Sequence, residues 1–243
     1  MRIPRYYLDQ PLDAPQTLAL PDALHRHAVQ VLRSKVDDQL IVFNGQGGEY
    51  HAHFTEVNKR DSTIEITEFD PVDRESPLAI TLVLALIKPD KFDFAVQKAV
   101  EMGITRIQPV VAMRSVLNLK ASRAEKKMLH WQGVINSACE QSGRTKVPEL
   151  LPVISFADYL QSEDDTLRLA MLPEATQSLA GLDMPDAQAL SLLVGPEGGF
   201  HDDEVALMQA QSVQTITFGP RILRAETAVI AGLASLQQRW GDL

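Results

Sequence analysis

Little in this sequence invites redox or membrane chemistry. Its 243 residues include one cysteine, Cys139. An intramolecular disulfide is therefore excluded, and a lone thiol fits a reducing compartment. Cys139 reads as a packed helix residue; for a catalytic thiol, only His130 lies near it in sequence. Long apolar runs are also missing. The longest, "LAITLVLALI" from Leu78 to Ile87, is too short for a membrane span and reads as a buried strand. The N-terminus "MRIPRYYLDQ" has no apolar core of signal-peptide length, so a cytoplasmic location is expected. Metal ligands do not cluster. His51 and His53 in "EYHAHF" share one strand face without further ligands nearby, so a polar surface is expected and no metal. Positive charge is scarce, with a net charge of -9, which at first argues against a nucleic-acid partner.

That charge is unevenly spread. Residues 88–147 carry 11 Lys or Arg against 5 Asp or Glu, whereas residues 148–243 carry 4 against 14. A basic middle and an acidic end imply two surfaces with different partners; accidental charge blocks on a solvated surface are the plain alternative. Hydrophobic residues make up 45% and charged residues 23%, ordinary for a globular protein of one large or two modest domains.

Residues up to about Pro71 read as a small β-rich unit with one early helix. Pro21 and Asp22 open that helix, and Leu24, Ala28, Val31 and Leu32 share one face. "DDQLIVFNGQGGEYHAHFTEV" reads as strand, glycine turn and alternating strand, and "TIEITEF" alternates cleanly. Short strands with tight turns suggest a small barrel, with "DPVDRESP" as linker. From Leu78 strands and helices alternate, which predicts an α/β domain with a mostly parallel sheet. In "PDKFDFAVQKAVEMG", Asp90 is the expected N-cap, Phe92, Ala95, Val96, Ala99 and Val100 form the buried stripe, and Gly103 ends the helix. A long helix covers roughly Ser122 to Ser142. "ITRIQPVVA", "TLRLAML", "ALSLLV" and "QTITF" read as strands. The last helix, Ala225 to Trp240, has one large apolar stripe (Val229, Leu233, Leu236, Trp240) and one of small residues (Ala228, Ala231, Gly232, Ser235). Burial within one chain and contact with a second subunit both account for it.

The stretch "LLVGPEGGF", Leu192 to Phe200, runs from a strand through a glycine turn into the helix "HDDEVALMQA". Three readings compete. A phosphate loop presents backbone N–H groups and a helix N-terminus to an anion. Here Glu197, Asp202, Asp203 and Glu204 would repel phosphate, no basic residue offsets them, and neither the P-loop nor the G-x-G-x-x-G spacing is present. The second reading is structural: glycines make a tight turn that Pro196 stiffens. The third is a phosphate-free, cationic nucleoside, for which S-adenosylmethionine fits. A second loop, "FGPRILRAETA" from Phe218 to Ala228, also begins Gly-Pro between a strand and a helix. It carries Arg221, Arg224, Glu226 and Thr227 at a strand's carboxyl end, a site-like grouping, although Glu226 also suits a helix dipole. A third turn, "MLPEA", ends the strand "TLRLAML".

Together "LLVGPEGGF" and "FGPRILRAETA" resemble the SPOUT class of methyltransferases, and more closely the bacterial enzymes that methylate N3 of a uridine in 16S ribosomal RNA. "RIPRYY" at the start, "VLR" at Val31 to Arg33, "VQKAVEMGI" and "ACEQSGR" at Ala138 to Arg144 agree with that family, so the resemblance spans nearly the whole chain. It implies a PUA-like RNA-binding β-barrel over residues 1–72 and a SPOUT domain with a deep trefoil knot over residues 73–243. It implies S-adenosylmethionine as methyl donor, S-adenosylhomocysteine as product, and no metal. The donor would be held by Leu172 and Pro173, by Gly195, Pro196, Glu197, Gly198 and Gly199, and by Gly219, Ile222 and Leu223. A homodimer is implied, acting on 16S rRNA within the small ribosomal subunit or a late assembly intermediate. Two positions depart from the family pattern: Gln30 replaces a basic residue before "VLR", and His201 stands where a Ser or Thr cap is usual.

Methylation at uracil N3 requires loss of the imide proton, for which Glu226 is preferred over Glu197 as general base. Arg224, ahead of Arg221, would stabilise the uracil oxyanion or hold a phosphate, and Thr227 would orient the base. Positioning alone is a further source of rate. RNA contacts are expected from Arg2, Arg5, Arg33, Lys35, Lys88, Lys91, Arg114 and Arg144. Tyr6 and Tyr7 fit base stacking or, more ordinarily, packing. A ribose 2′-O methyltransferase of the same class and a non-catalytic RNA-binding or assembly module are the alternatives.

Overall fold

A computed structural model describes residues 3–116, 121–162, 166–183 and 188–243. The chain divides into two compact units. The first is Met1–Glu75 together with Cys139–Val147; the second is Ser76–Ala138 with Pro148–Leu243.

The first unit holds β1 (Arg5–Tyr7), β2 (Gln16–Ala19), α1 (Asp22–His25), β3 (Gln39–Phe43), β4 (Glu49–Val57) and β5 (Ser62–Asp70). They form one sheet of order β1-β3-β4-β5-β2, antiparallel except where β1 joins β3. Alternation along β5 buries Ile64 and Ile66, and these meet Tyr6, Leu8, Leu40, Val42 and Phe54 in the unit's core. Tyr6 is thus a core residue, edge-on to His27. The early helix departs from expectation. After one α turn the chain enters a π-helix, Arg26–Val31. Its wider turn breaks the 3.6-residue repeat, so Ala28 stays buried while Val31 and Leu32 are 66% and 48% exposed.

The segment after Ala138 completes this unit. Arg5 pairs with Glu49 and donates to the Arg144 carbonyl at 3.0 Å. The Arg144 Nε donates to Glu75 at 2.9 Å, and Glu140 accepts the Tyr7 N–H at 3.0 Å. Arg5 and Arg144 were expected to contact RNA. The side chains of both are only 6% exposed, and their guanidinium groups serve Glu49 and Glu75, because a buried charge must be paired and hydrogen-bonded to be tolerated. Glu49 is buried, which raises its pKa, yet the bonds from Arg74 and Arg5 outweigh burial and hold it below the usual carboxylate range. Cys139 is buried and its thiol is pushed up to about 12, mainly by desolvation, so it is a packing residue and not a nucleophile.

The second unit is a parallel α/β layer. Its strands are β6 (Ala79–Ala85), β7 (Arg106–Val111), β8 (Glu149–Leu150), β9 (Ile154–Ser155), β10 (Leu167–Met171), β11 (Ala189–Val194) and β12 (Gln214–Ile216). The order is β12-β10-β11-β6-β7-β8, with β9 also on β7, and every pair is parallel. The helices are α2 (Pro89–Glu101), α3 (Ala121–Ser142), α4 (Phe156–Gln161), α5 (Asp202–Ala210) and α6 (Ala225–Trp240). All five expected stripe residues of α2 are buried. Its N-cap is Lys88 and not Asp90, because Pro89 takes the first helical position, where its missing N–H costs nothing. Helix α6 lies directly on the sheet. A methyl group on Gly232 would come within 2.9 Å of both Leu192 Cδ2 and Met171 Sδ. The small residue here therefore serves approach within the chain. All strands run the same way, so the segments after β6, β7, β10, β11 and β12 emerge at one edge, where parallel sheets place their ligand sites.

Candidate active site

Two strand ends meet first. The Leu172 N–H donates to the Ile216 carbonyl at 3.0 Å, tying the end of β10 to the end of β12. Beyond this tie a cleft of about 60 Å³ opens, lined by Met171, Leu172, Pro173, Ile216, Thr217, Phe218, Gly219, Arg221, Leu223 and Ala228. Four residues expected to hold the donor, Leu172, Pro173, Gly219 and Leu223, are among them. Met171, Ile216, Thr217, Phe218 and Ala228 were not anticipated; Met171 and Ile216 read only as strand, and nothing in the pattern showed their facing. Gly219 has φ +77, a backbone state that favours glycine. Ile222 is not part of the lining; its side chain is 84% exposed.

The loop after β11 is held from all sides. The Gly199 N–H closes a turn onto the Pro196 carbonyl at 2.8 Å, with Gly199 at φ +69. Gly195 faces the Phe200 ring, which a Cβ would approach to 3.0 Å. Gly195 to Gly199 do not line the cleft. The acids of this region have local partners. Glu197 accepts the Lys88 N–H at 3.1 Å, at the N-terminus of α2. Glu204 is buried; it accepts the His201 N–H and the Met113 N–H, both at 2.8 Å. His201 itself caps α5 through its ring nitrogen, so the unusual cap residue still does the capping. The acidity that argues against phosphate in the sequence thus has a structural origin in at least Glu197 and Glu204.

Helix α6 starts at the rim of the cleft. Arg224 is its N-cap and gives no side-chain cap bond. Arg224 and Thr227 are exposed, whereas Glu226 is buried in the first turn. Lys91, from the first turn of α2, places its Nζ 3.3 Å from Glu226 Oε1. Lys91 was expected on an RNA surface; the structure brings it to the proposed base instead, a pairing 135 residues apart that no local pattern reveals. Arg33 and Lys35 are exposed in the first unit, and Lys88 and Arg114 in the second. Arg2 lies outside the described residues. His51 and His53 face Asp70 at 3.8 Å and Glu65 at 3.5 Å. No group of three or more metal-ligating side chains occurs among the described residues, and no described helix is long and apolar enough to cross a membrane.

Known proteins share this fold and much of this sequence. A family model described as an RNA methyltransferase domain matches residues 74–237, and one described as an RNA methyltransferase PUA domain matches residues 20–67. The crystal structure of a ribosomal RNA small subunit methyltransferase E from Neisseria gonorrhoeae, bound to S-adenosyl methionine, superposes with a TM-score of 0.93 at 38% identity, covering 100% of both chains. A putative methyltransferase from Legionella pneumophila, in complex with the bound cofactor SAM, gives a TM-score of 0.96 at 33% identity, again over 100% of both chains. The ribosomal RNA small subunit methyltransferase E of Buchnera aphidicola (Schizaphis graminum strain) is 32% identical over 100% of this chain and 98% of its own length. With its PUA-like first unit and its parallel α/β methyltransferase unit, the chain belongs to the ribosomal RNA small subunit methyltransferase E family.

Proposed function

We propose that this protein transfers a methyl group from S-adenosylmethionine to N3 of one uridine in 16S ribosomal RNA. The observation that carries the reading is convergence: the ends of β10 and β12 form a cleft at the head of α6, whose first turn carries Glu226 beside Lys91. The residues fit the donor. Leu172, Pro173 and Leu223 offer apolar surface for an adenine, and Gly219 brings backbone groups to the lining without a side chain in the way; the Gly195 to Gly199 loop, outside that lining, is assigned to the donor by the family resemblance. When bound, the donor supplies an electrophilic methyl group.

The chain's residues supply the rest. Glu226 accepts the proton of the uracil imide N–H. Lys91 fixes the direction of that carboxylate. Arg224, unspent as a cap, faces the negative charge that develops on a uracil oxygen. Thr227 orients the base by hydrogen bonding. Arg33, Lys35 and Lys88 contribute phosphate contacts, making RNA affinity fall with salt.

The same reading includes a trefoil knot, a homodimer and a cytoplasmic setting in which the substrate is the small ribosomal subunit or a late precursor. The knot is supported by strand order: the chain passes from β11 beyond β10 to the edge at β12, then returns as α6 onto Leu192 and Met171. The dimer is supported by Ile222, an apolar side chain presented to solvent beside the cleft. The test measures donor binding and methyl transfer separately in Glu226→Gln and Arg224→Ala. Retained binding with strongly reduced transfer is expected; full activity in both variants removes their assigned roles. Nucleoside analysis of rRNA from a deletion strain, with and without added protein, identifies the product. A 2′-O-methyl nucleoside in place of 3-methyluridine would overturn the base chemistry.

A further inference from the structure

The turn that ends β7 reaches the glycine loop across an intervening strand. Ala112 and Ser115 close it, with the Ser115 N–H on the Ala112 carbonyl and the Ala112 N–H on the Ser115 hydroxyl, both at 3.0 Å. From this turn Arg114 extends its Nη1 to two carbonyls of the loop, Gly198 at 3.1 Å and Phe200 at 3.0 Å. The neighbouring Met113 N–H adds the bond to Glu204 at 2.8 Å. In the sheet, β6 lies between β7 and β11, a gap of about 9–10 Å between strand axes. Only a long side chain with a charged, multi-donor head spans it and holds two acceptors.

The two carbonyls belong to peptide planes pinned at their other ends as well. The Gly198 carbonyl shares its plane with the Gly199 N–H, which donates to Pro196 at 2.8 Å. The Phe200 carbonyl shares its plane with the His201 N–H, which donates to Glu204 at 2.8 Å. Both planes are therefore fixed in rotation, and the peptide joining Gly199 to Phe200 is set between them. A loop with three glycines in five residues has more backbone freedom to lose than one without them. Fixing it in advance removes that cost from ligand binding.

We infer that Arg114 is a positioning residue of the methyl-donor site, holding the Gly195 to Gly199 loop in its binding shape, and not an RNA contact. The inference rests on the reading that this loop meets S-adenosylmethionine. It assigns to the β7 turn a part in donor affinity although no residue of that turn lines the cleft.

The experiment titrates S-adenosylmethionine calorimetrically into wild-type protein, Arg114→Met and Arg114→Lys, and repeats methyl-transfer kinetics and RNA binding at several salt concentrations. Arg114→Met is expected to bind the donor about tenfold more weakly, near 1.4 kcal/mol. Its KM for the donor rises while kcat at saturation holds within about twofold. Arg114→Lys recovers part of the affinity, because one ammonium can still reach a carbonyl. The salt slope of RNA binding stays as in wild type, since a lost phosphate contact would lower it by about one. Donor affinity within about twofold of wild type in Arg114→Met overturns the inference. So does a reduced salt slope with unchanged donor affinity. Should Arg114→Met fail to fold, Arg114→Lys decides in its place: affinity reduced about threefold or more supports the inference, and unchanged affinity overturns it. Wild-type protein that takes up no donor overturns the underlying reading; wild-type uptake with unaffected variants overturns the role of Arg114 alone.

Discussion

Replacing Gly232 by alanine sets two effects of known size against each other. Glycine inside a helix costs about 0.8–1.0 kcal/mol relative to alanine, so on propensity alone the substitution stabilises. Its new methyl group, however, would sit 2.9 Å from Leu192 Cδ2 and 2.9 Å from Met171 Sδ. Carbon contacts settle at roughly 3.5–4.0 Å, so each neighbour must retreat by about 0.6 Å or more. Leu192 is fully buried in β11 and has nowhere to go; overpacking of this kind costs about 1–3 kcal/mol. The balance runs from near zero to about 2 kcal/mol of destabilisation. In a protein of this length each kcal/mol moves the Tm by about 2–4 °C, so thermal melts should show a fall of between zero and about 8 °C. The sharper readout is the ligand. Met171 lines the cleft, whose volume is only about 60 Å³. A displaced Met171 sulfur reshapes that space, so affinity for S-adenosylmethionine should drop more than stability does. A Gly232→Ala protein that melts several degrees above wild type and binds the donor equally well would refute the packing argument.

Other substitutions separate interior from surface charge. Arg144→Met takes the guanidinium from the largely covered Glu75 carboxylate and leaves it only the Thr145 and Lys146 N–H groups; a loss toward the lower end of about 3–5 kcal/mol in urea unfolding is expected. Arg33→Ala, on an exposed residue, should leave stability unchanged and lower the salt slope of RNA binding by about one. Lys91→Met frees the Glu226 carboxylate from its tether; methyl transfer should slow about tenfold or more while calorimetric donor binding persists. For Glu49 the sign is fixed by its lowered pKa. The unfolded chain binds the proton more readily, so the stabilisation is complete above the ordinary carboxylate range and is lost as pH falls through the folded-state value. Urea unfolding of wild type and Glu49→Gln between about pH 7 and about pH 3 should show a gap that is constant at the top and closes toward the bottom. A gap independent of pH would show that the Arg5 and Arg74 bonds are not what Glu49 contributes.

Features set by local rules could be read without coordinates. The α2 stripe follows from helical periodicity, and Phe92, Ala95, Val96, Ala99 and Val100 are all buried. The long apolar run at Leu78 reads as a strand covered on both faces, and β6 is central in its sheet. The paired Gly-Pro loops marked the ends of β11 and β12. What stayed hidden depends on distant partners. Arg5 and Glu49 are 44 residues apart, and Arg144 and Glu75 are 69; from sequence, an arginine beside a basic segment looks like a phosphate contact. Glu197 looks like a charge facing a ligand until Lys88 is placed beside it. Short elements escaped for another reason. β2, β8, β9 and α4 have 4, 2, 2 and 6 residues, too few for a period to register. The π turn at Arg26–Val31 breaks the amphipathic stripe that Leu24, Ala28, Val31 and Leu32 spell in the first unit.

One continuous helix, α3, belongs to both units: its residues through Ala138 to the second, and those from Cys139 onward to the first. The first unit is therefore not a cassette. A fragment cut at Glu75 would contain every strand of its sheet yet lack Glu140 for the Tyr7 N–H, the Arg144 carbonyl for Arg5, and the guanidinium that neutralises Glu75. Such a module cannot be transplanted by joining it to another catalytic unit at a linker. Its fold is tied to the middle of the chain, so a change in residues 139–147 reaches the first unit's sheet as directly as a change within the sheet itself.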